Sequence, residues 1–138
     1  MKLSSHNTEQ AARGYMMYQL AKRGYTVQFT DSRFPLEDLL VLSPSGKHFG
    51  IDVKGMRGRG SWIYKECEPN LERFYAFTYV PDAEIPKVFI MDSETAQRLL
   101  KENRRKVLAK NPDSTDPLRG MNWTEVYTYE DRYDLLPK

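Results

Sequence analysis

The sequence has few of the side chains that bind soft metal ions. Its 138 residues include one cysteine, Cys67, and two histidines, His6 and His48. One cysteine cannot form a disulfide within the chain, and this inventory excludes a cysteine-based zinc site. Any metal ion that the chain binds is therefore expected to be held by oxygen ligands.

Long apolar stretches are also missing. The longest apolar runs are only a few residues, far short of a membrane span, and residues 1–6 lack the apolar stretch of a signal peptide. We therefore expect a cytoplasmic protein that has no membrane partner.

Neither sign of charge dominates the sequence. The 21 lysines and arginines nearly balance the 19 aspartates and glutamates, which gives a formal net charge of +2. That total does not by itself indicate nucleic-acid binding, so the positions of the basic residues must be considered. The length and a hydrophobic content of 40% are sufficient for one core, and we expect a single domain over residues 1–138.

The segment from Asp38 to Lys54 carries the main pattern of the chain. An unbroken apolar run at 39–42, a turn with proline and glycine at 43–47 and an alternating run at 48–54 follow one another. Together they predict a β-hairpin.

The turn determines which residues of this hairpin face each other. With the loop centred on Ser45, partners have numbers that sum to 90, so Asp38 faces Asp52. Directly opposed side chains have Cβ atoms roughly 4.5–5.5 Å apart, and like charges placed there destabilise a sheet. A positive group is therefore expected between the two acids.

Side-chain alternation adds a lysine to this pair. Asp52 and Lys54 point to one face of the strand, whereas Phe49, Ile51 and Val53 point to the other, into a core. Mg²⁺ commonly uses one or two protein carboxylates and leaves room for water and a substrate phosphate. The pattern fits such a site, and the simpler alternative is an ordinary exposed strand face.

A helix is predicted before the hairpin. Asn7 is the expected N-cap, with a glutamine three residues later, and the helix should run to about Arg23. Glu9 lies at the head of its apolar stripe. Two explanations of Glu9 stay open: it is a third acid of the site, or it favours the positive end of the helix dipole.

The rest of the chain is predicted to complete an α/β domain. The aromatic residues of the later strands are expected in the core, and the aromatic-rich segment 121–136 is expected to fold back as a cover. Loops are expected at 31–37, 55–61 and 111–120, strands at 24–30, 61–65, 74–80 and 87–91, and a second helix from Asp92 or Ser93 to about Lys110.

Four basic residues are candidates for contact with nucleic-acid phosphates. Arg57 and Arg59 lie in the glycine-rich loop directly after Lys54, Arg13 lies on the first predicted helix, and Lys65 ends the next predicted strand. Guanidinium groups and backbone amides in such a loop can contact phosphates, although a solvated loop is the commoner meaning of the pattern.

The order and spacing of these residues resemble the PD-(D/E)XK nuclease superfamily, whose fold is that of restriction endonucleases and archaeal Holliday-junction resolvases. The likeness consists of Glu9 on a helix, Asp38, thirteen intervening residues, and Asp52-Val53-Lys54 on a strand. The tail segments 122–125 and 129–136 also look like those of small prokaryotic members.

The resemblance implies a fold and a reaction. The fold is an α/β, restriction-endonuclease-like core with a central mixed sheet of about five strands flanked by helices. The reaction is metal-dependent hydrolysis of phosphodiester bonds, with DNA as the expected substrate and Mg²⁺ or Mn²⁺ as the cofactor. Asp38, Asp52, the Val53 carbonyl and Glu9 would bind the metal, and Lys54 would position or activate the attacking water.

Two positions depart from the family pattern. The family often has proline directly before the first acid, whereas Glu37 stands there in this chain and Pro35 lies further back. The second acid is often glutamate, and here it is Asp52. The superfamily tolerates both variants.

Two other functions stay open. A nuclease-like fold can bind nucleic acid or a partner protein without cutting, because fold does not determine function. An unrelated small α/β domain would carry these acids as surface residues. If the chain is a nuclease, a homodimer or a partner protein is expected to supply target specificity, since a chain of this size leaves little room for a separate sequence-reading domain.

Overall fold

The computed structural model describes residues 3–30, 38–114 and 120–138. The predicted loop at 31–37 and part of the predicted loop at 111–120 lie outside the described residues. Short 3₁₀ turns follow the last helix at Tyr127–Tyr129 and Tyr133–Leu135. The elements are helix α1 (Ser5–Lys22), strands β1 (Thr26–Phe29), β2 (Leu39–Leu42), β3 (His48–Met56), β4 (Trp62–Ile63), β5 (Arg73–Tyr79) and β6 (Lys87–Asp92), helix α2 (Ser93–Lys110), strand β7 (Gly120–Met121) and helix α3 (Trp123–Val126).

The five longer strands form one mixed sheet in the order β1-β2-β3-β5-β6. Strand β2 runs antiparallel to both β1 and β3, β3 and β5 are parallel, and β5 and β6 are again antiparallel. Helices flank this sheet, so the predicted α/β class with a central mixed sheet of about five strands is confirmed.

Both faces of the sheet are buried. One face packs Phe49, Ile51 and Val53 against α1, whose own buried stripe includes Met16 and Leu20. The other face packs the aromatic residues of β5 and β6 against α2, β4 and the tail. The predictions that the apolar side of β3 enters a core and that the later aromatic residues are core residues are both confirmed.

The prediction for the start of α1 is wrong. The N-cap is Ser4, whose Oγ accepts a hydrogen bond from the Asn7 amide at 3.2 Å, while Asn7 Oδ1 accepts one from the Ser4 amide at 3.1 Å. Serine and asparagine both cap helices well, and here the asparagine takes the reciprocal role three residues inside a capping box. The first turn therefore contains no acid, and Glu9 lies beyond the range in which the helix dipole would explain it.

The tail covers the sheet as predicted, through one strand pairing that was not predicted. Strand β7 pairs with β4, and Gly120 is required there because an added Cβ would lie 1.5 Å from the Trp62 carbonyl oxygen. Val126 is then buried on the α2 face, and Leu136 is buried on the α1 face. Within the described ranges, no helix combines the length and apolarity that crossing a membrane requires.

Candidate functional site

The hairpin formed by β2 and β3 has the register predicted from the sequence. Leu39 pairs with Ile51 and Leu42 pairs with His48, so partner numbers sum to 90. Strand β2 begins at Leu39, whereas β3 continues to Met56. Among the described residues, β3 beyond Ile51 therefore has no strand beside it on the β2 side.

Two carboxylates occupy this open edge of β3. The Val53 amide donates to Asp38 Oδ2 at 2.8 Å, and the Gly55 amide donates to both oxygens of Glu9 at 3.2 and 3.3 Å. The carbonyl of Val53 points to the same edge, because the N–H and C=O of one strand residue lie on the same side. The acid before β2, an acid of α1 and a backbone carbonyl thus converge beside one segment of β3.

Asp52 brings a second aspartate to the same place. Its side chain is only 13% exposed, and its carboxyl group shares a hydrogen bond with that of Asp38. Burial is the main reason why the pKa of Asp52 is raised from 3.8 to about 7. The charge and hydrogen bond of Asp38 act in the same direction, and Lys54 opposes them.

Each of the two aspartates has a cation beside it. Lys54 Nζ lies 3.2 Å from Asp52 Oδ1, and Arg13 Nη1 lies 3.6 Å from Asp38 Oδ1. These are the positive groups that the opposed acids require. Strand alternation predicted that Lys54 lies on the same face as Asp52, and the ion pair between them agrees with this. Arg13 is a candidate for contact with phosphate, and in the structure it lies beside the carboxylate of Asp38.

Glu9 belongs to the same electrostatic cluster. Burial raises its pKa, the hydrogen bond from the Gly55 amide and the charge of Lys54 lower it, Asp38 raises it and Arg13 lowers it. A third carboxylate from α1 thus faces the hairpin acids, in the position that the first explanation of Glu9 requires.

Gly55 is the residue of this candidate site that the sequence patterns did not single out. A Cβ at this position would lie 2.8 Å from Ala12 Cβ and 3.1 Å from the Thr8 carbonyl oxygen. The missing side chain lets α1 approach β3 closely enough for Glu9 to reach the Gly55 amide. The sequence contained two signals, the glycine directly after Lys54 and the small residue Ala12 on the buried stripe of α1.

We expect Gly55→Ala to lower the free energy of unfolding by about 1–3 kcal/mol, because the added methyl group overpacks the contact between α1 and β3. Chemical denaturation would measure this change. Gly14→Ala is the matched control, since no atom lies within 4 Å of an added Cβ there and alanine favours a helix. Adding Ala12→Gly to Gly55→Ala should recover part of the loss. An unchanged or raised stability of Gly55→Ala alone would contradict the close packing.

The other basic candidates lie in different environments. Arg57 pairs with Asp82 at 2.5 Å, and Arg59 lies over the ring of Trp123. Lys65 follows β4, and its carbonyl accepts from Gln97 Nε2 of α2 at 3.0 Å. Of the four basic candidates, only Arg13 has an ion pair with one of the predicted site acids in the part of the chain that the structure describes.

The donor set of this cluster suits a hard divalent cation. All the candidate ligands are oxygens, namely the carboxyl groups of Asp38, Asp52 and Glu9 and the Val53 carbonyl. Among the described residues, no three His, Cys, Asp or Glu side chains form a ready-made metal group. Mg²⁺ commonly binds through one or two carboxylates and keeps water and substrate oxygens as its other ligands. The Asp38 and Asp52 pair meets that requirement.

Comparisons with known proteins add no family to this description. A scan against protein-family models found no match, and searches of curated proteins and of solved structures found none at a significant level.

Proposed function

We propose that this protein is a metal-dependent nuclease that hydrolyses phosphodiester bonds, with DNA as its substrate. The observation that carries the proposal is the meeting of two carboxyl groups, those of Asp38 and Asp52, beside the ammonium group of Lys54 at the open edge of β3. The order of these residues along the chain also resembles the PD-(D/E)XK nucleases.

The residues divide into ligands and a group that acts on water. Asp38 and Asp52 would hold Mg²⁺ or Mn²⁺, with the Val53 carbonyl and Glu9 as further oxygen ligands. When bound, the cation would stabilise charge on the scissile phosphate and make water a usable nucleophile near neutral pH. Lys54 Nζ can donate hydrogen bonds to the attacking water and to a phosphate oxygen.

A structural role accounts for part of the site but leaves Asp52 unexplained. Asp38 and Glu9 each accept a hydrogen bond from a β3 amide, which would justify both acids in a domain without catalysis. Asp52 is buried next to a like charge, which costs stability. Such unfavourable placement of ionisable groups is common at active sites.

Cleavage of a panel of supercoiled, linear, branched and single-stranded DNA with Mg²⁺ or Mn²⁺ tests the proposal. We expect cutting by the wild-type protein that stops when EDTA removes the metal and is lost in Asp52→Ala. A parallel RNA panel would test the choice of DNA. Absence of cutting on all of these substrates, by a protein that also fails to bind Mg²⁺, would instead favour a non-catalytic binding module.

A further inference from the structure

We propose that Arg59 and Tyr127 form a stacking platform for an unpaired nucleotide beside the scissile phosphate. This inference rests on the nuclease function proposed above and narrows its substrate class. Single-stranded or branched DNA, rather than continuous duplex, is then the preferred substrate.

The guanidinium group of Arg59 is held in a fixed orientation. Its Cζ lies 3.8 Å from the centroid of the Trp123 ring and 6.0 Å from that of Tyr79. Its Nη2 donates a hydrogen bond to the Tyr127 hydroxyl at 3.1 Å. An arginine that only contacts phosphates by charge needs none of these contacts.

Trp123 is a rigid support for this arginine. Its ring centroid lies 4.9 Å from that of Trp62, 5.0 Å from that of Tyr79 and 5.7 Å from that of Phe89. These neighbours belong to the buried cluster on the α2 face of the sheet. The stack is therefore anchored in the core and ends at the surface in Arg59.

The outer side of the stack is open to a ligand. Arg59 is exposed, and Tyr127 keeps 52% of its surface accessible. Unstacked bases bind to arginine planes and to aromatic rings, and this stacking tolerates any base because every base has a π face. Bases inside a continuous duplex are already stacked on each other, so the platform selects nucleotides that are unpaired.

The platform lies on the same side of the sheet as Asp52 and Lys54. Residues 52, 54 and 56 of β3 share one face, and Met56 pairs with Tyr79, the ring next to Arg59. Two residues of strand span about 7 Å, so Met56 and its partner Tyr79 lie one such step along the sheet from Lys54 and its partner Phe77. A DNA strand bound at the acids would therefore place a flanking nucleotide at Arg59.

The neighbouring arginine of the same loop has a different environment. Arg57 forms an ion pair with Asp82 at 2.5 Å, and its Nε contacts Thr8 Oγ1 at 3.4 Å. Its charge is partly neutralised, and it does not lie on an aromatic ring in the described cation–π contacts. Arg57 is thus a suitable control for Arg59.

The test is fluorescence anisotropy of a short labelled single strand and of its blunt duplex, in EDTA so that nothing is cut. Arg59→Lys keeps the charge and removes the flat guanidinium plane. We expect it to weaken single-strand binding roughly tenfold or more and to leave duplex binding nearly unchanged. Tyr127→Ala, at an exposed ring, should also weaken single-strand binding selectively. Arg57→Lys, at an arginine without a ring contact among the described residues, should leave the ratio of single-strand to duplex affinity unchanged. Thermal unfolding of each variant checks that the fold is retained.

Equal effects of Arg59→Lys on both DNA forms, or no effect on either, would overturn the platform. The two proposals fail separately. If Arg59→Lys loses the preference for single strands while the wild-type protein cuts no DNA with Mg²⁺, the platform is supported and the nuclease function is rejected. If the wild-type protein shows metal-dependent cutting and Arg59→Lys keeps the preference for single strands, the platform is rejected and the nuclease function is supported.

Discussion

Asp52→Asn should abolish DNA cleavage, with a loss of roughly 10³-fold or more in rate, because it removes a proposed metal ligand while keeping the size of the side chain. Lys54→Met should lower the rate roughly 10²- to 10³-fold, the usual effect of removing one donor that stabilises developing charge. The measurement is the initial rate of cleavage with Mg²⁺, on the substrate that the wild-type protein cuts best.

These two variants should differ in metal binding. Asp52→Asn lacks one of the proposed ligands, so its affinity for Mn²⁺ should fall. Lys54→Met removes a cation that lies 3.2 Å from Asp52, so its affinity for Mn²⁺ should stay the same or rise. Lys47→Met, in the exposed turn at the other end of the hairpin, is the control and should keep both activity and binding. Full activity of Lys54→Met would remove Lys54 from the mechanism.

The second large effect is on stability. In protein without divalent metal, Asp52→Asn should be more stable than the wild type at pH 8, by up to about 4 kcal/mol at about 1.36 kcal/mol per pKa unit. The pKa of Asp52 is raised by burial and by Asp38 to about 7, so the folded state binds the proton more tightly than the unfolded state. The free energy of unfolding of the wild type therefore falls as the pH rises from about 4 to about 7.

Urea denaturation of both proteins at pH 4, 6 and 8 measures this effect. The difference between wild type and variant should be small at pH 4, where Asp52 is protonated in the folded state and only about half ionised in the unfolded state, and largest at pH 8. Comparing the two proteins cancels the titration of groups that do not interact with Asp52, such as Glu9, and leaves the effect of Asp52 together with its neighbours Asp38 and Lys54. At pH 8, Mn²⁺ should stabilise the wild type more than the variant. A wild type that is the more stable protein at pH 8 without metal would show that Asp52 is not a strained acid.

The hairpin illustrates what could be predicted from the sequence. The proline and glycine of the turn and the alternation after it are local signals, and they gave the correct register for β2 and β3. Once the register is known, the meeting of Asp38 and Asp52 follows, because each directly adjoins the last paired residues, Leu39 and Ile51. The signals that predicted the type and approximate position of α2 were equally local, and Asp92 is its N-cap.

What the sequence did not predict depends on packing between distant segments. That Asp38 accepts a hydrogen bond from Val53 depends on where β2 begins relative to β3. The need for Gly55 depends on the position of α1 across the sheet, and the placement of Arg59 on Trp123 depends on the tail folding back over the strands. Periodicity along the chain contains none of this information. The cap of α1 was misassigned because Ser4 and Asn7 are both good caps.

Binding of Mn²⁺ tests the central claim most directly, because it does not depend on offering the correct DNA. Free Mn²⁺ can be followed by electron paramagnetic resonance as it is titrated into wild-type protein and into the Asp38→Asn and Asp52→Asn variants. We expect saturable binding by the wild type that is strongly weakened in both variants and reduced by competing Mg²⁺. Binding of equal strength in all three proteins, or no saturable binding by the wild type, would contradict a metal site at Asp38 and Asp52.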